Sequence, residues 1–167
     1  MERMCYECGN DSFKEINVLK SVKVKELELE VEHHYFVCSN CGERYADFDR
    51  PNENLIRNYN EYRQRKNWLM PEKIRDIRKK YHLSQKEYAS LLGISYSTLS
   101  AIENGSLQSK AHESQFILSQ SAMGMKRLVS SNKDMFSAKK LAELLSLLDR
   151  LIIEEYEGLG KKSVICF

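Results

Sequence analysis

One stretch of the chain, from Leu83 to Gly105 (LSQKEYASLLGISYSTLSAIENG), limits the possible folds more than any other. Its pattern predicts two short helices joined by a tight turn. Ser84 is a suitable N-cap, and Glu87, three residues later, can bond back to its backbone, which completes a capping box. Gly93 can adopt the positive φ that a tight turn needs. The stretch therefore predicts two helices that cross closely.

The second of these helices is predicted to present short polar side chains to the outside. Ser95 is its predicted N-cap, Leu99 and Ile102 are expected to face inward, and Asn104-Gly105 ends it because both residues tolerate the left-handed conformation. The pattern is that of a helix-turn-helix, whose second helix contacts bases in the DNA major groove. The alternative is an ordinary helical hairpin in a protein core, but the signals agree in register over 23 residues.

The distribution of charge supports a nucleic-acid partner for the middle of the chain. The formal net charge is only +2, but residues 1–50 hold 7 basic and 11 acidic residues, whereas residues 51–130 hold 13 basic and 7 acidic residues. Cations on the helix-turn-helix region suit contact with DNA phosphates. The excess of acidic residues in residues 1–50 predicts a second surface with a different partner.

Composition also limits the cellular location. Apolar residues make up 42% of the chain, enough for packed cores. The N-terminal residues lack the apolar core of a secretory signal, and no apolar run approaches the roughly 20 residues that cross a bilayer. We therefore expect a soluble, cytoplasmic protein.

Four of the five cysteines form two C-x-x-C pairs, each followed by glycine: Cys5, Cys8, Cys38 and Cys41. Four thiolates in this spacing predict one structural Zn²⁺ in a closed tetrahedral site. A redox site would need only one such pair, and disulfides do not suit a chain without an export signal. His33 and His34 are interpreted as ordinary strand residues and Cys166 as a bystander thiol.

The segment between the cysteine pairs predicts β-strands. Apolar residues alternate up to Val24 and then in the opposite phase from Leu27, so the slip near Lys25-Glu26 predicts a turn or bulge. Four glutamates are predicted to share the face opposite the apolar one: Glu26, Glu28, Glu30 and Glu32. This acidic row is either a solvated strand face or a docking edge for a basic protein.

These patterns predict an α+β protein, with a small β-rich zinc-binding head followed by an all-α helix-turn-helix domain and an extra C-terminal helix. The predicted boundaries are a zinc head at 1–50, a helical linker at 51–69, the helix-turn-helix domain at 70–130, and a C-terminal helix and tail at 131–167. Asn54 is the predicted cap of the linker helix. A leucine stripe, Leu141, Leu144, Leu148 and Leu151, predicts either core or a dimer seam.

The next predicted helix begins at Pro71, since proline suits a first helical position. Its buried side carries Ile74, Ile77 and Tyr81. Its basic residues are predicted to be exposed, either as phosphate contacts or as a solvated face only: Arg75, Arg78, Lys79 and Lys80. Beyond Gly105, residues 111–129 are predicted to be helical.

Together, the cysteine pairs, the hairpin and the helix-turn-helix resemble the MqsA-type antitoxins, with their YgiT-type zinc head. The second domain resembles the XRE/Cro family generally, and the run from Pro71 to Glu87 is particularly close to the antitoxin pattern. The resemblance covers about residues 1–107. About 60 residues follow Gly105, more than that pattern needs, and the proline usual after the helix-turn-helix is missing.

The resemblance implies that the zinc head binds and neutralises a toxin, typically an mRNA-cleaving ribonuclease. It also implies that the second domain forms a homodimer on a palindromic operator and represses its own operon. By position, the cysteines of the two pairs are the implied zinc ligands. The candidate DNA contacts are Gln85, Lys86, Ser95, Tyr96, Ser97, Ser100, Asn104 and Lys79.

Two other functions remain open from the sequence. One is a stand-alone XRE-family repressor from a phage or mobile element, in which the zinc finger is only structural. The other is a thiol-based redox enzyme or sensor. An enzyme is disfavoured, because the sequence presents no catalytic Ser-His-Asp or Cys-His set and no phosphate-binding glycine loop.

Overall fold

A computed structural model describes residues 3–162 of the protein, with side chains described up to Gly158. The chain divides after Trp68 into two compact units. Unit 1 contains a three-stranded antiparallel sheet and one helix, and the described part of unit 2 is helical. The predicted α+β class is confirmed. Between residues 3 and 162, none of the helices combines the length and the apolar character that crossing a membrane requires.

The sheet of unit 1 consists of β1 (Phe13–Val24), β2 (Leu27–Cys38) and the short β3 (Arg44–Tyr45), in the order β1-β2-β3. β1 and β2 pair without interruption from Phe13 opposite Cys38 to Val24 opposite Leu27. The predicted slip near Lys25-Glu26 is the turn between them, with Lys25 at a φ of 51°. The change of apolar phase is thus the change of strand, because a two-residue turn reverses the chain there.

The helix of unit 1, α1 (Glu53–Lys66), lies in the segment predicted as a linker and packs on β2. The predicted cap at Asn54 is wrong, because the N-cap position is Asn52. The Asn54 side chain instead exchanges two hydrogen bonds of 2.8 Å with the backbone of His34. His33 Nε2 lies 2.7 Å from Asn58 Oδ1. These amide contacts fasten α1 to the sheet.

Unit 2 begins with α2 (Pro71–Lys80), α3 (Gln85–Leu91) and α4 (Tyr96–Glu103), and continues with α5 (Lys110–Gln120) and α6 (Ala122–Ser131). Pro71 occupies the first turn of α2 as predicted, and Ile74, Ile77 and Tyr81 are buried. The stretch predicted as helical at 111–129 is two helices, because Ser121 interrupts it. The Ser121 side chain caps α6 by accepting a 3.0 Å hydrogen bond from the Gly124 amide.

The last helix, α7 (Ala138–Lys162), follows a short 3₁₀ turn at Lys133–Met135. The Ser137 hydroxyl, just before α7, accepts a hydrogen bond from the Lys140 amide at 3.3 Å. Leu144 and Leu148 are buried in the core that also holds Leu99 and Phe116, so these leucines belong to the core of unit 2. Residues 163–167, including Cys166, lie outside the described residues.

Candidate DNA-binding surface and metal centre

The start of α3 and the turn between α3 and α4 both have the predicted geometry. The Ser84 hydroxyl accepts a hydrogen bond from the Glu87 amide at 3.2 Å, and a Glu87 carboxylate oxygen accepts one from the Ser84 amide at 2.7 Å. This is the predicted capping box, and it is confirmed. Gly93 has a φ of 67°, which an L-residue with a side chain rarely adopts. Local chemistry thus fixes the crossing of the two helices.

Helix α4 buries one side and exposes the other. Ser95 caps it, accepting a hydrogen bond from the Thr98 amide at 3.0 Å, and Leu99 and Ile102 are buried as predicted. Tyr96 is 49% exposed, and Ser97 is also exposed. Buried contacts therefore hold α4 while its first turn stays open to a ligand.

Ala101 is a surface residue of α4 that the sequence analysis missed. It is exposed on the side of the helix shared by Ser97, whereas Ser100 is only half-exposed. The signal was present, because positions three and four apart lie on one helical face. The predicted contacts on α4 were all polar residues, and alanine carries no polar group.

The end of α4 differs from the prediction at one residue. Gly105 is left-handed with a φ of 107°, but Asn104 has a φ of −100°. The Asn104 amide nitrogen instead donates a 2.8 Å hydrogen bond to the Ser100 carbonyl. The side chain of Asn104 thereby closes its own helix.

A buried ion pair connects the helices of this domain. Glu103 accepts hydrogen bonds from Arg78 at 2.8 and 2.9 Å and from the Gln85 amide at 2.7 Å. The Glu103 side chain is 3% exposed and that of Arg78 is 14% exposed, so the prediction that Arg78 is exposed is wrong. Burial alone raises the pKa of Glu103, but the hydrogen bonds from Arg78 and Gln85 outweigh it and the net pKa is lowered. The carboxylate is thus held ionised.

The exposed cations of the domain fall into two groups. Lys80 pairs with Glu155 at 2.7 Å. Lys79 on α2 and Lys86 on α3 are exposed and have no hydrogen-bond or ion-pair partner among residues 3–162. A lysine without an internal partner is available to a phosphate.

The four paired cysteines of unit 1 converge on one point. The Cys5 and Cys41 sulfurs lie 3.5 Å apart, the Cys8 and Cys38 sulfurs 3.6 Å apart, and all four within 4.8 Å of one another. The two turns repeat one geometry, since Gly9 and Gly42 have φ values of 72° and 77°. Each glycine amide bonds back to the carbonyl of the first cysteine of its pair.

This cluster fits a tetrahedral metal ion. A metal–sulfur distance of about 2.3 Å, as for zinc, places the sulfurs of a tetrahedron about 3.8 Å apart. Backbone amides, chiefly that of Cys41, lower the pKa of Cys38 to about 6. A backbone hydrogen bond from Glu43 lowers the pKa of Cys41, but the neighbouring thiols and burial outweigh it and raise that pKa to about 12. A cation removes this conflict, because it lets every sulfur be a thiolate.

A second group of potential ligands, His34, Asp47 and Glu53, also lies within 4.8 Å. Arginines occupy its carboxylates, because Arg50 pairs with Asp47 at 3.1 Å and Glu53 at 3.0 Å, and Arg57 pairs with Glu53 at 2.7 Å. The donor set therefore fits an ion-pair network at the start of α1 and not a cation site.

Comparison with known proteins places one domain. Residues 74–111, from α2 to the start of α5, match the helix-turn-helix family HTH_3. No curated protein and no solved structure matches the chain. The matched segment is an XRE-type DNA-binding domain, which supports a DNA-binding transcriptional regulator; domains of this kind are generally not enzymes. The match does not extend to the cysteine cluster, so the likeness to MqsA-type antitoxins rests on the sequence pattern.

Proposed function

We propose that this protein is an antitoxin that also represses its own operon. Unit 2 binds a palindromic operator as a homodimer, and unit 1, stabilised by one Zn²⁺, binds a basic toxin protein. The observation that carries the DNA-binding half is the capped, exposed face of α4 within the matched domain.

The DNA contacts divide by chemistry. Tyr96 and Ser97, in the exposed first turn of α4, contact base edges, as the N-terminal residues of recognition helices do. Lys79 and Lys86 supply phosphate contacts, and Gln85, held by Glu103, approaches the backbone from the start of α3. Ser95 acts mainly as the cap that orients this turn.

The support for zinc is the donor set itself. Four thiols within 4.8 Å suit zinc better than magnesium or calcium, which prefer oxygen ligands. All four positions of a tetrahedron are filled by protein, which is typical of a structural ion. The ion joins the chain before β1 to the end of β2 and the turn that follows it, and so closes the hairpin at its open end.

The support for a basic partner is one face of the hairpin, which we call the open face: Asn17, Leu19, Ser21, Lys23, Glu28, Glu30 and Glu32, all exposed. Leu19 is 64% exposed and lies opposite Glu32. No ion pair or hydrogen bond engages the side chains of Glu28, Glu30 and Glu32 among residues 3–162. An acidic row around an exposed leucine complements a basic protein that carries an apolar anchor.

Glu26 does not belong to this face, although the sequence analysis placed it in the row. It lies in the turn, where it accepts a 3.0 Å hydrogen bond from Tyr62 and pairs with Lys66 at 2.7 Å. The hydrogen bond from Lys66 is the chief reason that the pKa of Glu26 is lowered to about 2. Glu26 fastens α1 to the hairpin, and the row contains three glutamates.

The two halves can be tested separately with the full chain. Binding to DNA from upstream of its own gene is measured by fluorescence anisotropy, and the protomer number by analytical ultracentrifugation. We expect a dimer on a palindrome, with affinity that falls as salt rises. Binding no tighter than to random DNA contradicts the regulator.

The toxin half is tested with the product of the neighbouring gene, co-expressed and measured by calorimetry and by rescue of growth. Glu30→Lys with Glu32→Lys is expected to abolish the complex. The matched control is Glu143→Lys with Glu157→Lys, which makes the same change of charge at two exposed positions of α7. A complex unaffected by the reversed pair contradicts the open face, and a neighbour without toxicity favours the stand-alone repressor.

A further inference from the structure

We infer that the operator is recognised at A·T base pairs, through thymine methyl groups and single hydroxyl contacts, rather than through guanine. The inference rests on the proposed binding of α4 in the major groove and adds the class of sequence that it selects.

The surface that meets the groove can be assigned from burial. Leu99, Ile102 and Glu103 face the interior, so the opposite side of α4 points outward. At 100° per residue, the outward direction passes through Ser97, Ala101 and Asn104, with Tyr96 and Ser100 at one edge. The exposure of each residue agrees with this assignment, since all but the half-exposed Ser100 are exposed.

This surface lacks the side chains that select guanine. From Ser95 to Gly105 the sequence contains no arginine, lysine, histidine or glutamine. Guanine is most often selected by an Arg or Lys fork on its O6 and N7 atoms. The nearest cations in sequence lie outside α4: Lys110 is the first residue of α5, and Lys86 lies on α3, the helix that crosses the DNA backbone in this motif.

The amide that could select adenine is also engaged. The Asn104 amide nitrogen donates to the Ser100 carbonyl at 2.8 Å, and Asn104 lies at the C-terminal end of α4. Recognition helices contact bases chiefly through their N-terminal residues. Asn104 is therefore poorly placed for the bidentate contact with adenine.

What the surface offers is apolar carbon and short hydroxyls. The Ala101 methyl group and the Tyr96 ring are exposed, and thymine presents the one methyl group of the major groove. The Ser97 hydroxyl lies 2.9 Å from the Ser95 hydroxyl, which already accepts from the Thr98 amide. A hydroxyl held in this way can contact thymine O4, but cannot make a two-bond match. The complement of this surface is a half-site rich in A·T pairs.

The test uses the full-length protein and a randomised DNA library, followed by anisotropy on the selected site. The selected half-site is expected to carry A·T pairs at the positions that face α4. Replacing one contacted thymine by deoxyuridine removes only a methyl group, and we expect affinity to fall about fourfold.

Variants assign the methyl contact to this chain. Ala101→Gly is expected to bind the thymine and deoxyuridine sites equally. Ala101→Ser is a second variant at the same position, so that destabilisation of the helix by glycine is not mistaken for loss of the methyl contact. Lys79→Ala is the control, since it should weaken binding to both sites by the same factor. Selection of guanine at the contacted positions overturns the inference, and so does an affinity that deoxyuridine changes at none of them. Neither result contradicts the proposal that the protein binds DNA. Absence of any selected sequence overturns the proposed function itself.

Discussion

The two units of this protein are held together by different means. Unit 2 has a continuous apolar core in which Ile74, Leu99, Phe116, Met125 and Leu148 are fully buried. Unit 1 has a three-stranded sheet with one helix, and in β1 only Val24 is buried. A small unit with so little buried apolar surface needs another source of cohesion. We propose that the cysteine cluster supplies it by holding a metal ion.

The surroundings of the cluster agree with this difference. An aromatic group packs beside it, with the Phe13 and Phe48 rings 5.3 Å apart and the Tyr45 and Phe48 rings 5.5 Å apart. The Tyr45 hydroxyl lies 3.3 Å from the Cys5 sulfur, and this hydrogen bond is the chief cause that lowers the pKa of Cys5. The aromatic packing is therefore connected to the cysteines, so loss of the metal should disturb both.

The largest expected effect is on unit 1 alone. Cys38→Ser removes a buried ligand, and we expect unit 1 to unfold while the helical signal from residues 71–157 remains. Zinc content by mass spectrometry and amide spectra by NMR measure the two parts separately. Cys166→Ser, a cysteine outside the C-x-x-C pairs, is the matched control. Simultaneous loss of structure in both units would falsify the comparison.

The converse experiment breaks the core of unit 2. Leu148→Ala leaves a cavity among α7 and the helix-turn-helix helices, and we expect the free energy of unfolding of unit 2 to fall by about 2–5 kcal/mol. Zinc binding by unit 1 should not change. Ile153→Ala, at an exposed position of the same helix, should change stability by less than about 0.5 kcal/mol. A loss for Leu148→Ala as small as that for Ile153→Ala would show that Leu148 does not contribute to this core.

Patterns of local chemistry predicted much of the molecule. The capping box at Ser84, the Gly93 turn and the four-cysteine cluster follow from short-range spacing, because each depends on residues whose roles are fixed by backbone geometry. The inward face of α4 followed from helical period. These features need no knowledge of the remaining chain.

Two of the predictions that were wrong concern residues whose partners lie far away in the sequence. Asn54 is a good cap by composition, but the backbone of His34 competes for its amide. Arg78 lies in a basic run that suggests solvent exposure, and its partner Glu103 is 25 residues away in the chain. Nothing in the local pattern distinguishes Arg78 from Lys79. Such pairs become visible only when α2 and α4 are packed together.

The buried ion pair gives unit 2 a pH dependence. Because the pKa of Glu103 is lower in the folded state than its usual value of 4.5, its contribution is present above that value and is lost as pH falls towards the folded pKa. Glu103→Gln should reduce the stability of unit 2 by about 2 kcal/mol at neutral pH. Urea unfolding from pH 3 to 7 measures the difference in unfolding free energy between the wild type and the variant, and this difference should become smaller in acid. A constant difference would show that other groups carry the acid response.

The smallest effects concern DNA binding, which the comparison assigns to unit 2. Lys79→Ala should weaken binding to all sequences and lower the slope of log affinity against log salt by about 1, because one phosphate contact is lost. Ser97→Ala should instead change the ranking of operator variants and leave the slope unchanged. Lys139→Ala, which removes an exposed charge from α7, is the control. Cys38→Ser, which unfolds unit 1, should weaken DNA binding less than Lys79→Ala does. The opposite result would mean that operator binding depends on both units, and would contradict the assignment of DNA binding to unit 2 alone.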